Sequence, residues 1–169
     1  FNSHGGLRGR KGSFYEGGFR VPTLVAWPGR IAPGASHDRV TGFEDWLPTL
    51  LSLIGAETTI PAGLDGINFA PTLLGATQPA RPFLYRESPG YGGQQGLRVD
   101  DWKIVRRNLR PRPAKGEGAM ITELYDLARD PAETTNLAAS QPQVLARLER
   151  ILREQHVPSK EFPLPALDR

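Results

Sequence analysis

Lys11 is the residue best placed for chemistry in this sequence. It sits in "GGLRGRKGSFYEGGFRVP", residues Gly5 to Pro22. Glycines there let backbone approach a ligand closely, and Arg8 and Arg10 add positive potential. Glu16 is a candidate ionic partner for the lysine, and His4 borders the same loop. A lysine so placed is a mobile cationic donor for an anionic substrate. In a partly desolvated cleft it would stabilise charge that develops in a transition state. Composition alone leaves two interpretations open, an anion cradle and an ordinary basic surface loop.

Other sites fare worse. A P-loop needs Gly-Lys-Ser/Thr at its end, but Gly12 follows Lys11 and no strand leads in. A dinucleotide fingerprint fails because the glycines are wrongly spaced and precede a strand, not a helix. His4, His37 and His156 share no helical spacing, so no metal site is expected from them, and His37 and His156 are expected at the surface. Asp100 and Asp101 suit a turn for backbone reasons alone. Arg106, Arg107, Arg110 and Arg112 could meet phosphates, but no aromatic residues interleave and Glu117 and Glu123 follow, so a solvated loop without nucleic acid is expected. No Gly-x-Ser-x-Gly elbow occurs.

The 169 residues suit one domain, or a domain with a small appendage. Without cysteine there is no disulfide, thiolate metal site or Cys nucleophile in the chain. The net charge is +3, and among 21 basic residues only Lys11, Lys103, Lys115 and Lys160 are lysines. Arginine suits carboxylate, phosphate or sulfate partners, although genome composition gives the same bias. No stretch is long and apolar enough to span a membrane. The chain begins at Phe1 and its one methionine is Met120, so a piece of a longer protein is expected.

With 19 glycines and 16 prolines, short elements joined by turns are expected. Val21 to Trp27 reads as a strand buried on both faces of a mainly parallel sheet. Trp46, Leu47, Leu50, Leu51 and Ile54 have helical spacing, with the start near Glu44 or Asp45, Pro48 in the first turn and Gly55 at the end. "GINFAPTLLG" predicts one or two helical turns ended by Gly75. A composition break places a boundary near Gln78. Beyond it "FLYRES", two strands around Asp100-Asp101 and "MITELYDL" predict a small antiparallel meander. Leu97 and Val99 lie on one side of that turn and Trp102, Ile104 and Val105 on the other. Last, Ser140 with Gln143 reads as a capping box. It opens a helix whose stripe of Val144, Leu148, Ile151 and Leu152 should pack on one face of the meander.

The motifs in order resemble the sulfatase family. "LRGRKGSFYEGGFRVP" is similar to its Leu-Arg-Gly-x-Lys-Gly-x-x-x-Glu-Gly-Gly-x-Arg-Val-Pro stretch, and the strand ending in Trp27, Pro28 and Gly29 follows as it does there. Asp45, Pro48, Thr49 and Leu50 match its Asp-x-x-Pro-Thr-Leu helix. "LDGINFAPTLLG", "LRVDDWKIV" and "ELYDLARDPAETTNLA" resemble three further signatures, in register over nearly the whole chain.

The resemblance implies an α/β fold: the end of an alkaline-phosphatase-like catalytic domain at residues 1–78, then a small C-terminal domain at 79–169 with about four antiparallel strands and one helix. It implies hydrolysis of sulfate esters by a formylglycine nucleophile, with calcium polarising the sulfate. It implies that Lys11 contacts the sulfate and stabilises the leaving oxygen. His4 and Asn2 lie where the family's chain runs near the sulfate, but no motif position fixes their role. The Cys/Ser-x-Pro-x-Arg motif is missing, since "SQPQV" has Val144 in place of arginine, and so is the Asp-Asn-Gly calcium segment. The nucleophile and calcium ligands are therefore expected upstream, and the chain alone is expected to be inactive. A periplasmic or secreted location follows from family habit only. A phosphonate or phosphate monoester hydrolase of the same superfamily, or a non-catalytic anion- or carbohydrate-binding module, are the alternatives.

Overall fold

The Asp100-Asp101 turn organises the sheet. Asp100 takes a left-handed φ of 52°, which a short polar side chain tolerates, and Val99 then pairs with Trp102. A computed structural model describes residues 4–110 and 118–168. Strands β1 (Leu84–Ser88), β2 (Gln94–Val99), β3 (Trp102–Arg107) and β4 (Ile121–Asp126) lie in sequence order. The β2–β3 and β3–β4 pairs are antiparallel. This is the expected meander.

Register assigns the two faces, because directly paired residues point the same way and neighbours alternate. Leu97 faces Ile104, which faces Leu124, and Val99 faces Trp102. This apolar face takes helix α4 (Pro142–Gln155), which buries Leu148 and Leu152 completely and packs on β2. Each fully buried leucine is worth roughly 1.5–3 kcal/mol. Arg106, on the same face, reaches Glu149 of α4 at 2.6 Å. The opposite face presents Lys103, Val105, Glu123 and Tyr125. It is covered by the segment that follows Lys11, in which Phe14, Tyr15 and Glu16 are buried. Gly96 makes room there: a Cβ on it would lie 3.2 Å from Cδ2 of Phe14.

The described residues up to Val21 form one compact unit with those from Tyr85 onward, and Pro22–Leu84 form a second. Short helix α1 (Glu16–Phe19) belongs to the first. In the second, a 3₁₀ turn at Phe43–Asp45 leads into α2 (Trp46–Leu53), with Pro48 in its first turn and Gly55 just beyond it at φ 75°. Helix α3 (Ala70–Leu73) ends before Gly75. Asp45 and Thr49 tie these helices together. Asp45 accepts the N–H groups of Gly42 at 2.8 Å and Ile67 at 2.7 Å, and pairs with Arg81. Thr49 accepts the Phe69 N–H at 2.9 Å, and Trp46 meets the Phe69 ring edge-on. The Asp-x-x-Pro-Thr-Leu motif is thus a structural knot.

Two local expectations are corrected. Residues 21–27 form no strand, and Leu24 is 94% exposed. A strand exists only through ladder partners, and the described residues supply none to this segment. The capping box is also absent. Gln141 is the N-cap and makes no side-chain bond, while Ser140 donates to the Leu137 carbonyl. Pro142 starts the helix two residues after Ser140, because its missing N–H and fixed φ suit the first position.

Candidate active site around Lys11

Lys11 sits at a turn whose shape is set by glycine. Gly9 and Gly12 take φ of 82° and 95°, a region that disfavours side chains. A Cβ on Gly17 would lie 2.6 Å from the carbonyl oxygens of Arg8 and Gly9. The glycines therefore let the loop fold tightly on itself, with Gly17 N–H donating to Arg8 O at 2.8 Å and Ser13 N–H to Arg10 O at 2.9 Å. Lys11 is left exposed, and its ammonium pairs with nothing among the described residues. His4 opens the loop half-buried, with its carbonyl accepting the Leu7 N–H at 3.0 Å. Its Nδ1 is buried without a partner. No hydrogen bond joins His4 to Lys11. Asn2, Arg112 and Glu117 lie outside the described residues.

The expected partner of Lys11 is engaged elsewhere. Glu16 bonds Lys103 Nζ at 2.8 Å, with Arg98 at 3.8 Å from its other oxygen. Glu133, fully buried and at φ 54°, accepts the Glu16 N–H at 2.6 Å. Its second oxygen lies 3.0 Å from Lys103 Nζ, out of line for a hydrogen bond. Lys103 is thus a buried ammonium between two carboxylates. Burial pushes the Glu133 carboxyl up, beyond what Lys103 and the Glu16 amide pull down.

Arg8 is an anchor, not a free source of potential. It stacks over the Tyr15 ring at 4.0 Å, donates to the Tyr125 hydroxyl at 2.6 Å and the Glu133 carbonyl at 3.0 Å, and pairs with Glu123 at 3.4 Å. Tyr15 donates to Glu123, and Arg107 pairs with it at 3.2 Å. Burial pushes the Glu123 carboxyl up, but bonds from Tyr15 and Arg107 and the charges of Arg107 and Arg8 outweigh it and hold it below the usual range. Burial and the Glu123 charge push the Tyr125 phenol up to about 12. Arg106 and Arg107 are therefore strand residues with internal partners, which corrects the expected solvated loop. His156 is corrected as well: it bridges Glu87 and Asp168, at 2.8 Å each, in a largely buried position. His37 is exposed.

What this arrangement can do is hold in place the turn that carries the exposed Lys11. Lys103, Glu123 and Glu133 were not singled out from the sequence as site residues. The only signal was that each stands inside a signature stretch. Among the described residues, no group of three or more His, Asp or Glu could hold a metal ion. The described residues therefore offer no such cluster to calcium, and the chain has no Cys/Ser-x-Pro-x-Arg motif to supply formylglycine.

Residues 9–157 match the family described as "N-sulphoglucosamine sulphohydrolase, C-terminal". Human arylsulfatase A is 36% identical over 165 residues, covering 86% of this chain and 32% of its own length. Rat steryl-sulfatase is 34% identical, covering 89% and 29%. A solved Bacteroides thetaiotaomicron protein, described under the metabolism of multiple glycosaminoglycans, superimposes with a TM-score of 0.67 at 26% identity, covering 89% of this chain and 32% of that one. The chain thus spans about a third of the length of these relatives.

Proposed function

The chain belongs to the sulfatase family, as its C-terminal portion, and from that membership we propose that the full-length protein hydrolyses sulfate esters, with Lys11 binding the sulfate and stabilising the leaving oxygen. The observation that carries this is the unpaired Lys11 on a loop held by eight buried or half-buried polar side chains, Arg8, Tyr15, Glu16, Lys103, Arg107, Glu123, Tyr125 and Glu133. Such anchoring preorganises a donor, so that little reorganisation is needed as charge develops.

In this proposal residues 1–78 complete a catalytic domain and 79–169 form the small C-terminal domain. The contacts of residues 8–16 with the sheet then join the two. Formylglycine and calcium belong to upstream residues, where calcium would supply charge stabilisation for the sulfate. The exposed apolar side chains of Val21, Leu24, Phe43, Leu47, Leu50 and Ile54 support a missing partner, because large exposed apolar surface marks an interface. The rest of the catalytic domain is that partner here. No helix among the described residues is long and apolar enough to cross a membrane.

The test is steady-state assay of the full-length protein on matched aryl sulfate and aryl phosphate. Both present tetrahedral oxyanions to Lys11. A higher kcat/KM for the sulfate is expected, and the reverse preference would favour a phosphate monoester hydrolase.

A further inference from the structure

We infer that Tyr91 is a specificity-determining residue, packing beside Lys11 against the ring of a sugar or aryl alcohol whose sulfate ester is cleaved. This rests on the sulfate-ester role of Lys11 and adds the chemistry of the group that leaves. Tyr91 lies in the turn between β1 and β2, with a left-handed φ of 53°. Its neighbours Gly92 and Gly93 take φ of 83° and 80° with no side chain to oppose it, whereas a bulky residue there is strained. Tyr91 is 78% exposed, so burial offsets little of that cost. A strained aromatic held at the surface points to a function.

The ring has a defined place. A Cβ on Gly12, the residue after Lys11, would come within 2.6 Å of Cε2 and the hydroxyl oxygen of Tyr91. The tyrosine thus lies on the turn that carries the lysine. The two turns are fastened together by Gln94, 4% exposed, which donates to Gly12 O at 2.8 Å and accepts the Phe14 N–H at 3.2 Å. From its other side, Arg110 N–H donates to Gly92 O at 2.7 Å and Leu109 N–H to Gly93 O at 3.1 Å. An aromatic ring is therefore held against the turn that carries the exposed Lys11. That pairing fits a ring-bearing ester, with the anion on Lys11 and the ring on Tyr91, whose hydroxyl adds a polar edge.

The experiment uses Tyr91→Gly and Tyr91→Phe in the full-length protein. Glycine removes the ring and relieves the left-handed φ, so its melting temperature should equal or exceed that of the parent. Phenylalanine keeps the ring. With 4-nitrophenyl sulfate and a monosaccharide 6-sulfate as probes, Tyr91→Gly should lower kcat/KM about tenfold on the better substrate, the size of one aromatic contact. Inhibition by inorganic sulfate, which has no ring, should shift less than about twofold. Tyr91→Phe should retain most of the activity. Unchanged kcat/KM in Tyr91→Gly would overturn the inference, and so would an equal weakening of inorganic sulfate. A parent protein that hydrolyses no sulfate ester overturns the role of Lys11 itself, and the inference with it. Failure of the variant comparison alone leaves that role standing.

Discussion

The two faces of the small sheet solve the same problem by different physics. One face is apolar: Leu97, Ile104 and Leu124 are buried on it, and α4, which buries Leu148 and Leu152, packs on β2. The other is ionic: Lys103, Glu123 and Tyr125 meet Arg8, Tyr15 and Glu16, with Glu133 closing the cluster. Apolar packing is non-directional and tolerates changes that conserve volume. Buried ion pairs add less net stability, since desolvation offsets much of the attraction, but they demand one geometry. The apolar face takes α4, and the ionic face takes the loop on which Lys11 is proposed to act. On the charged face the ion pairs add a defined geometry to the apolar cluster of Phe14, Tyr15, Val105, Tyr125 and Leu127.

Three substitutions break the contrast, in falling order of effect. Lys103→Met should be the worst, because it leaves Glu16 and Glu133 buried together without their cation. Breaking a buried pair in this way costs about 3–5 kcal/mol, measurable by urea denaturation. Adding Glu16→Gln and Glu133→Gln to Lys103→Met should recover most of that stability but not the activity. Leu148→Ala, on the apolar face, should cost about 2–5 kcal/mol through transfer and cavity terms, while the kcat of the folded fraction stays near that of the parent. Equal loss of kcat in both variants would erase the distinction between the faces.

His156→Asn, at the clasp between β1 and the tail, should be smallest, at about 1–2 kcal/mol near pH 6. Burial lowers the imidazole's pKa, but the bonds and charges of Glu87 and Asp168 outweigh it, so the folded value is raised. The charged form is favoured in the folded state. Its contribution is complete below the ordinary histidine value and is lost as pH rises through the raised one. Melting curves of parent and variant should therefore converge as pH is raised. A gap independent of pH would mean that the clasp does not depend on protonation.

The apolar face was legible because its signals are local. Alternation over Leu97 and Val99, the Asp100-Asp101 turn and the stripe through Leu148 and Leu152 are each read within a few residues. The ionic face was not. Glu16, Lys103 and Glu133 are far apart in sequence, and only the fold brings their charges together. Glu16 is the carboxylate nearest to Lys11 in sequence and so its candidate partner, whereas Lys103 reaches it in space. Residues 21–27 failed for a related reason, since β-branched composition describes a preference and only neighbouring strands make a ladder. His156 reads as a surface residue in the sequence because nothing local foretells two carboxylates converging from β1 and the tail. Lys11 itself was visible, but the meaning of its glycines was not: they serve the loop's own tight turns.

The central claim is that the anchored loop exists to place Lys11 against the reacting group. Turnover of an aryl sulfate by the full-length Lys11→Ala variant tests it most directly. The account predicts a fall in kcat of on the order of a hundredfold or more, as when one charge-stabilising donor is removed, with an unchanged melting temperature, because Lys11 is exposed and unpaired. Turnover within about threefold of the parent, less than about 1 kcal/mol of barrier, would contradict it.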